Sequence, residues 1–409
     1  MEPYLTPEHE AFRAEVRDFA ETQIAPVAGE LDEQARFPWE NVRAMAERGW
    51  FGIDVPETLG GLGRDYLSYI LAIEELARVD ASHAITVSAH STLGESPILN
   101  FGTDQQRDRY IPLLSRGRVL GGFGLTEPGA GSDASATRTV AVPDGDGYRV
   151  NGSKIFITHA GVGEIFVITA VTDRERGTRG ITSFIVTKET ADREAADRAG
   201  IGHAAELEPF MDGVRAGKKE DKMGWRASDT RELVLEDVFV PAENRLGREG
   251  EGFTNFMKTL DAGRIGVGAL SLGLAQGAFE QALRFSNQRR QFGRPLRSFQ
   301  GVQFPLADMA TEIQAARHLV YHAAWLKQND RSYGKAAAMA KLYASDVAMR
   351  VTTRAVQLMG GSGYTTDYPV ERMMRDAKVG QIGEGTNEIQ RLVIARSIFD
   401  EAFDGGEKS

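Results

Sequence analysis

Gly124-Leu125-Thr126-Glu127-Pro128-Gly129-Ala130-Gly131-Ser132-Asp133 stands where the pattern of this chain changes. Upstream, apolar residues recur at helical spacing. Downstream, short runs rich in branched and aromatic residues take over. Gly129 and Gly131 remove side chains, so backbone N–H groups can come close to an anion, as in a nest. The run is not the dinucleotide G-x-G-x-x-G pattern, because the next periodic segment is a strand and no regular helix signal follows. Taken alone, it reads as an ordinary tight loop.

Before this loop the chain reads as helical. Thr6 can cap a helix that has Pro7 in its first position, with Phe12, Val16 and Phe19 on one face. A second helix runs from about Trp39 to Arg48, and a third from Tyr66 to Arg78, with the loop Gly60-Gly61-Leu62-Gly63 between them. After it, Thr137–Val142, Tyr148–Val150, Lys154–Thr158, Ile165–Ala170, Ile181–Thr187, Leu233–Leu235 and Val238–Val240 read as strands. Pro143-Asp144-Gly145-Asp146-Gly147 and Asn151-Gly152 are the turn signals. The strands are too closely spaced for helical crossovers. Beyond Gly252, Ala269–Ser286, Phe304–Lys327 and Lys335–Met359 are long helical patterns, and Gly360-Gly361 stops the last. The organisation is α+β and mostly α: helices over 1–120, a β domain over 121–241, helices over 242–409. The Ala/Glu/Asp/Arg-rich stretch of about 188–217 reads as a solvated insertion carrying a surface helix.

Bulk properties set limits. A chain of 409 residues is long for one domain, and a 42% hydrophobic content suits a globular protein. A net charge of −10, with no cluster of basic and aromatic residues, gives nucleic-acid binding no support. No apolar run is long enough to span a bilayer, so no membrane insertion is expected. There are no cysteines, which removes disulfides, thiolate nucleophiles and cysteine metal sites. With no secretory signal visible at Met1–Thr6, a cytoplasmic location is expected. His318 and His322 have zinc-ligand spacing but no evident third ligand, so no metal site is expected. Gly217-Lys218-Lys219 lacks the leading Gly and following Ser/Thr of a P-loop and reads as the start of a strand.

A second stretch, Gly383-Glu384-Gly385-Thr386-Asn387-Glu388-Ile389-Gln390-Arg391, sets one carboxylate between two glycines at the edge of an apolar helix. Together the two stretches, and much of the wording between them from Leu5 to Phe399, resemble the acyl-CoA dehydrogenase family. That family desaturates acyl thioesters with FAD. The resemblance implies an N-terminal α-helical domain, a β-barrel-like middle domain and a C-terminal four-helix bundle. It also implies a homotetramer, built as a dimer of dimers, with acyl-CoA as substrate and an electron-transfer flavoprotein as electron acceptor.

The resemblance carries residue roles with it. Phe123, Leu125, Thr126, Gly131 and Ser132 correspond to the flavin loop, with Thr126 at the isoalloxazine edge and Ser132 between diphosphate and substrate. Phe156-Ile157-Thr158 corresponds to an aromatic-Ile-Thr strand, Phe156 covering the ring where relatives commonly have Trp. Arg289 and Phe292 match an Arg-x-x-Phe-Gly turn that reaches the diphosphate of a neighbouring subunit, where a guanidinium fork suits phosphate oxygens. Gln357, Gly360 and Gly361 would line the adenosine end, and Thr386 and Asn387 follow the base. Asp261, Arg264, Gly385 and Arg396 fall on the substrate side with Ser132.

Glu384 is the implied base. A carboxylate in water is too weak to take the proton beside a thioester, but sealed from water its pKa rises toward a useful range. Some relatives carry the base within Leu-Asp-x-Glu-Arg. Here that segment reads Leu260-Asp261-Ala262-Gly263-Arg264, and Gly263 cannot act. Gly383 replaces a Tyr found in many straight-chain enzymes, which suggests tolerance of branched acyl groups. Two other readings share the fold: an oxygen-using oxidase or monooxygenase, and a flavin-carrying, nucleic-acid-associated relative.

Overall fold

The computed structural model describes residues 5–202 and 204–404. Thr6 caps α1 (Pro7–Phe19) in a reciprocal box with His9. There follow α2 (Ala28–Gln34), α3 (Trp39–Glu47), α4 (Tyr66–Ala77), α5 (Ala81–Ala89), α6 (Ser96–Phe101) and α7 (Asp104–Ser115). The middle unit holds β1 (Gly121–Gly124), β2 (Val140–Asp144), β3 (Gly147–Thr158), β4 (Ile165–Val171), β5 (Ile181–Thr187), α8 (Arg193–Ala199), β6 (Val214–Lys219), β7 (Thr230–Pro241) and β8 (Arg245–Leu246). Then come α9 (Gly252–Gln288), the short hairpin β9 (Arg290–Gln291) and β10 (Arg294–Pro295), α10 (Gln300–Gln328), α11 (Gly334–Met359), α12 (Gly361–Tyr364), α13 (Val370–Gly380) and α14 (Asn387–Phe399).

The eight-stranded sheet runs β6-β7-β3-β2-β4-β5-β8, with β1 added parallel to β4. Its inward side chains (Val150, Phe166, Ile168, Phe184, Leu233, Val240) form a core of their own. The helices on either side of the sheet in sequence share a single core instead, in which α4 and α5 pack on α9 and α9 packs on α11. Two glycines make that approach possible: a Cβ on Gly273 or Gly277 would run into the backbone carbonyl of Glu74 or Arg78. Glu75, buried, holds Arg13, Arg17 and Arg78 around it, and Glu74 binds Arg317 and Tyr321 of α10.

Three local expectations are corrected. Asn151-Gly152 is not a turn but lies inside the continuous strand β3. The hairpin closes earlier, at Gly145-Asp146, and Gly152 marks a bulge where its missing side chain lets Thr139 come close. Leu233–Leu235 and Val238–Val240 are one strand, β7, whose register shifts at Glu236-Asp237, with Asp237 at φ 52°. The 188–217 stretch does carry a helix, α8, but it is not a solvated insertion. Ala196, Ala199 and Ile201 enter the main core, and the Trp39 indole donates to Asp192 at 3.3 Å. Gly217-Lys218-Lys219 is strand, as expected, but ends β6 rather than starting a strand.

Candidate active site

The loop after β1 is fastened from below. Glu127 turns inward and accepts from the hydroxyls of Thr137 and Thr139, the backbone N–H of Arg138 (2.6 Å) and the Lys154 ammonium (2.6 Å) on β3. Burial works against the Glu127 charge, yet Lys154 and the two hydroxyls hold its carboxyl below the usual range. Burial likewise holds Lys154 below a free lysine. These contacts explain why β2 begins only at Val140: Thr137 and Thr139 are committed to Glu127. Lys154→Met should leave that carboxylate buried and unpaired, at a cost of about 3–5 kcal/mol. Urea denaturation of the variant and parent measures it.

Above that anchor, Pro128, Gly129, Gly131, Ser132 and Asp133 are exposed, and a side chain on Gly131 would meet nothing within 4 Å. The Ile155 N–H donates to the Thr126 carbonyl at 2.8 Å, so the loop and the Phe156-Ile157-Thr158 segment lie side by side. Phe156, at φ 59° in a β3 irregularity, is 61% exposed. An aromatic ring in a strained conformation that leaves it facing solvent suits a flat ligand laid over it. Ile157 is buried, so only its backbone can reach a ligand. Phe123 stacks on Phe256 at 4.0 Å, which makes it a wall of the loop.

The second stretch forms the turn between α13 and α14. Glu384 and Gly385 are both left-handed, at φ 53° and 88°. Such a conformation is ordinary for Gly but costs a carboxylate-bearing residue about 1 kcal/mol or more. Glu384 is half-buried, while its Oε2 is sealed from solvent with no hydrogen-bond partner. Burial pushes its carboxyl up to about 7, against the opposing pull of Lys341 and Arg264. A Cβ placed on Gly263 would collide with that Oε2. The α9 position where some relatives carry a base thus faces the carboxylate that this chain supplies from the other side. A base of pKa near neutrality, aimed into a gap left by a glycine, can take a proton from a weak carbon acid.

The remaining residues separate into groups. Arg264 is buried and binds Asp261 one turn back on α9, within electrostatic range of Glu384. Thr386 caps α14. The Asn387 amide is buried among Lys341, Ser345 and Asp346. Arg396 is exposed on α14, about 14 Å along the helix axis from Asn387, and is not gathered at Glu384. Arg289, Phe292 (93% exposed), Gln357, Gly360 and Gly361 lie on the surface, at the ends of α9 and α11. The edge-on contact of Phe285 with Tyr368 ties the α9 end to the segment after α12. His318 hydrogen-bonds Gln314 and His322 stacks on Trp325, and among the described residues no third ligand joins them. Sequence reading overlooked Glu127, Lys154 and Lys341. Their partners are far away in sequence, so no local pattern pointed to them.

A sealed carboxylate on the turn before α14, and on the sheet a small-residue loop next to an exposed aromatic, are the features an oxidoreductase that binds a flat cofactor can use. The acyl-CoA dehydrogenase N-terminal, middle and C-terminal domains match residues 6–118, 122–238 and 250–399 in that order, and the chain belongs to this family of oxidoreductases. It is 50% identical over 399 residues to a short-chain-specific acyl-CoA dehydrogenase of Clostridium acetobutylicum, covering 98% of this chain and all of that one. The solved butyryl-CoA dehydrogenase of Megasphaera elsdenii superposes with a TM-score of 0.90 at 47% identity, over 98% of this chain and 100% of that one. An acyl-CoA dehydrogenase of Bacillus anthracis solved with FAD has a TM-score of 0.88 at 33% identity, over 98% of this chain and 68% of that one. Among the described residues no helix is long and apolar enough to cross a membrane.

Proposed function

We propose that this chain converts a short-chain acyl-CoA to the trans-2-enoyl-CoA, with Glu384 as the base that takes the α-proton. The observation that carries this is the orphaned, sealed Oε2 of Glu384 opposite Gly263, with its pKa raised by burial to about 7. The cofactor is FAD. The open backbone at Gly131, the exposed Phe156 ring and the nearby hydroxyls of Thr126, Ser132 and Thr158 suit a flat ligand bearing a diphosphate. When bound, FAD supplies the acceptor for the β-hydride. The chain's own part is to exclude water around Glu384, to hold its carboxylate at the α-carbon, and to offer the Glu384 backbone N–H to the thioester oxygen. That donor would favour the enolate-like charge that develops as the proton leaves.

The short-chain assignment rests on the C. acetobutylicum and M. elsdenii relatives and on a cavity of about 60 Å³ beside Ala262. Asp54, Glu95, Lys327, Tyr66 and Tyr69 line it, and Glu95 has an unpartnered buried Oε1. An apolar tail of many carbons gains little from such a wall.

A homotetramer is the proposed assembly. Arg289, Phe292, Gln357 and the Gly360-Gly361 turn would then complete a neighbour's cofactor site, which accounts for so exposed a Phe292. The family resemblance supports an electron-transfer flavoprotein as acceptor. Turnover of butyryl-, isobutyryl-, octanoyl- and palmitoyl-CoA, with an electron-transfer flavoprotein under nitrogen and then with oxygen alone, tests the reading. Highest kcat/KM on butyryl-CoA with the flavoprotein supports it; turnover sustained by oxygen alone makes the chain an oxidase.

Gly383 bears on branching. A Cβ there would meet only the Val379 carbonyl, at an ordinary 3.5 Å, so the backbone admits a side chain at this position. Gly383→Tyr is expected to lower kcat/KM for isobutyryl-CoA about tenfold while leaving butyryl-CoA within about threefold. Equal effects on both substrates would remove Gly383 as the source of branched-chain tolerance.

A further inference from the structure

The turn that carries Glu384 is left-handed at two successive residues and strained at the first, so something must hold it. Two buried side chains do. Gln390, from α14, donates to the Gly385 carbonyl at 2.8 Å and to the Glu384 carbonyl at 3.3 Å. Lys341, from α11 and fully buried, donates to the same Gly385 carbonyl at 2.8 Å and to the Asn387 Oδ1 at 2.9 Å. Asn387 is locked in turn, donating to Ser345 Oγ at 3.0 Å and Asp346 Oδ1 at 2.8 Å, and Gln381 donates to the same Asp346 oxygen at 2.7 Å. Both ends of the turn are thus pinned to one face of α11.

We propose that Lys341 is a positioning residue for the reaction: its buried ammonium fixes the Glu384–Asn387 turn and supplies the positive field that lets Glu384 ionise inside a sealed site. A neutral donor such as Gln390 suffices for the hydrogen bond to Gly385. A buried cation needs a further reason, since taking a lysine out of water is costly unless its charge is used. The charges around Lys341 come from Glu384 on the turn, Arg264 on α9, Asp346 on α11 and Glu388 on α14. Glu384 in turn feels Lys341 and Arg264, and its charge reaches Tyr66 and Tyr69 of α4. Burial lowers Lys341 to about 8 despite the facing carboxylate, so it is charged over the range in which Glu384 titrates.

The proposal rests on Glu384 being the base, and the test separates the two. The pH dependence of kcat and kcat/KM on butyryl-CoA is measured for the parent, Lys341→Met and Lys341→Gln, with FAD content and circular dichroism confirming folded holoenzyme. In the parent the acid limb is expected near pH 7. Both variants lose the charge, so the limb should move up by about one pH unit or more. Lys341→Gln keeps a donor toward Gly385 and should retain several-fold more plateau kcat than Lys341→Met, with KM little changed in either. A merely structural lysine would lower activity at every pH and leave the limb in place, which overturns the proposal. If Lys341→Met does not fold, the limb in Lys341→Gln decides. A parent with no acid limb would defeat the assignment of Glu384 instead.

Discussion

Glu384→Gln is expected to lower kcat on butyryl-CoA by about 10²–10⁴-fold while KM changes little. The amide keeps the shape of the carboxylate and loses only its ability to take a proton, and general-base catalysis accounts for about 10²–10⁴-fold in rate. Parent turnover should rise with pH through about 7, because burial holds the Glu384 proton to that point and the base must be free of it. Stability should move the other way. Unfolded, the carboxyl titrates near about 4.3. The folded state therefore pays a growing penalty as pH rises from there to about 7, and a constant one above. The Tm of Glu384→Gln should exceed that of the parent at pH 8 and converge with it near pH 4. Loss of stability in the variant at pH 8 would mean that the carboxylate is solvated rather than sealed.

The second large effect is expected from Gly263→Ala. The added methyl falls on the Glu384 Oε2, whose side chain is free to swing away, so the fold should survive. The carboxylate is displaced instead, by an ångström or so, and a misplacement of that size costs about 10²-fold in kcat. Assay of kcat beside a thermal melt checks both parts. A large fall in Tm with kcat per folded enzyme unchanged would place the role of Gly263 in helix packing.

Much of this was legible before the fold was known, for reasons that differ by region. The long helices α9, α10 and α11 announced themselves through period and length, and Thr6 with Pro7 marked the start of α1. The Gly124–Asp133 loop and the Glu384 turn stood out as contiguous words. Contacts between distant residues were not. Glu127 meets Lys154 27 positions away and Lys341 meets Gly385 44 away, and no local pattern announces either. Asn151-Gly152 misled because a bulge and a hairpin turn call for the same residue types. Only the partner strand decides between them, through the Asp237 N–H that Asn151 accepts at 2.8 Å. The 188–217 stretch misled because alanines that pack against Trp39 and its neighbours look, among so many charges, like those of a solvated helix. That the Asn387 amide faces α11 was equally invisible in its position after Glu384.

The central claim is that Glu384 starts the transfer of a hydride from a short acyl thioester to bound FAD. The most direct measurement is anaerobic titration of the purified holoenzyme with butyryl-CoA, following the visible flavin absorbance, in the parent and in Glu384→Gln. Prompt bleaching in the parent, with none in a variant that still binds the ligand, is the predicted result. Equal bleaching in both would remove Glu384 as the base, and a bound flavin that no acyl-CoA reduces would contradict the dehydrogenase itself.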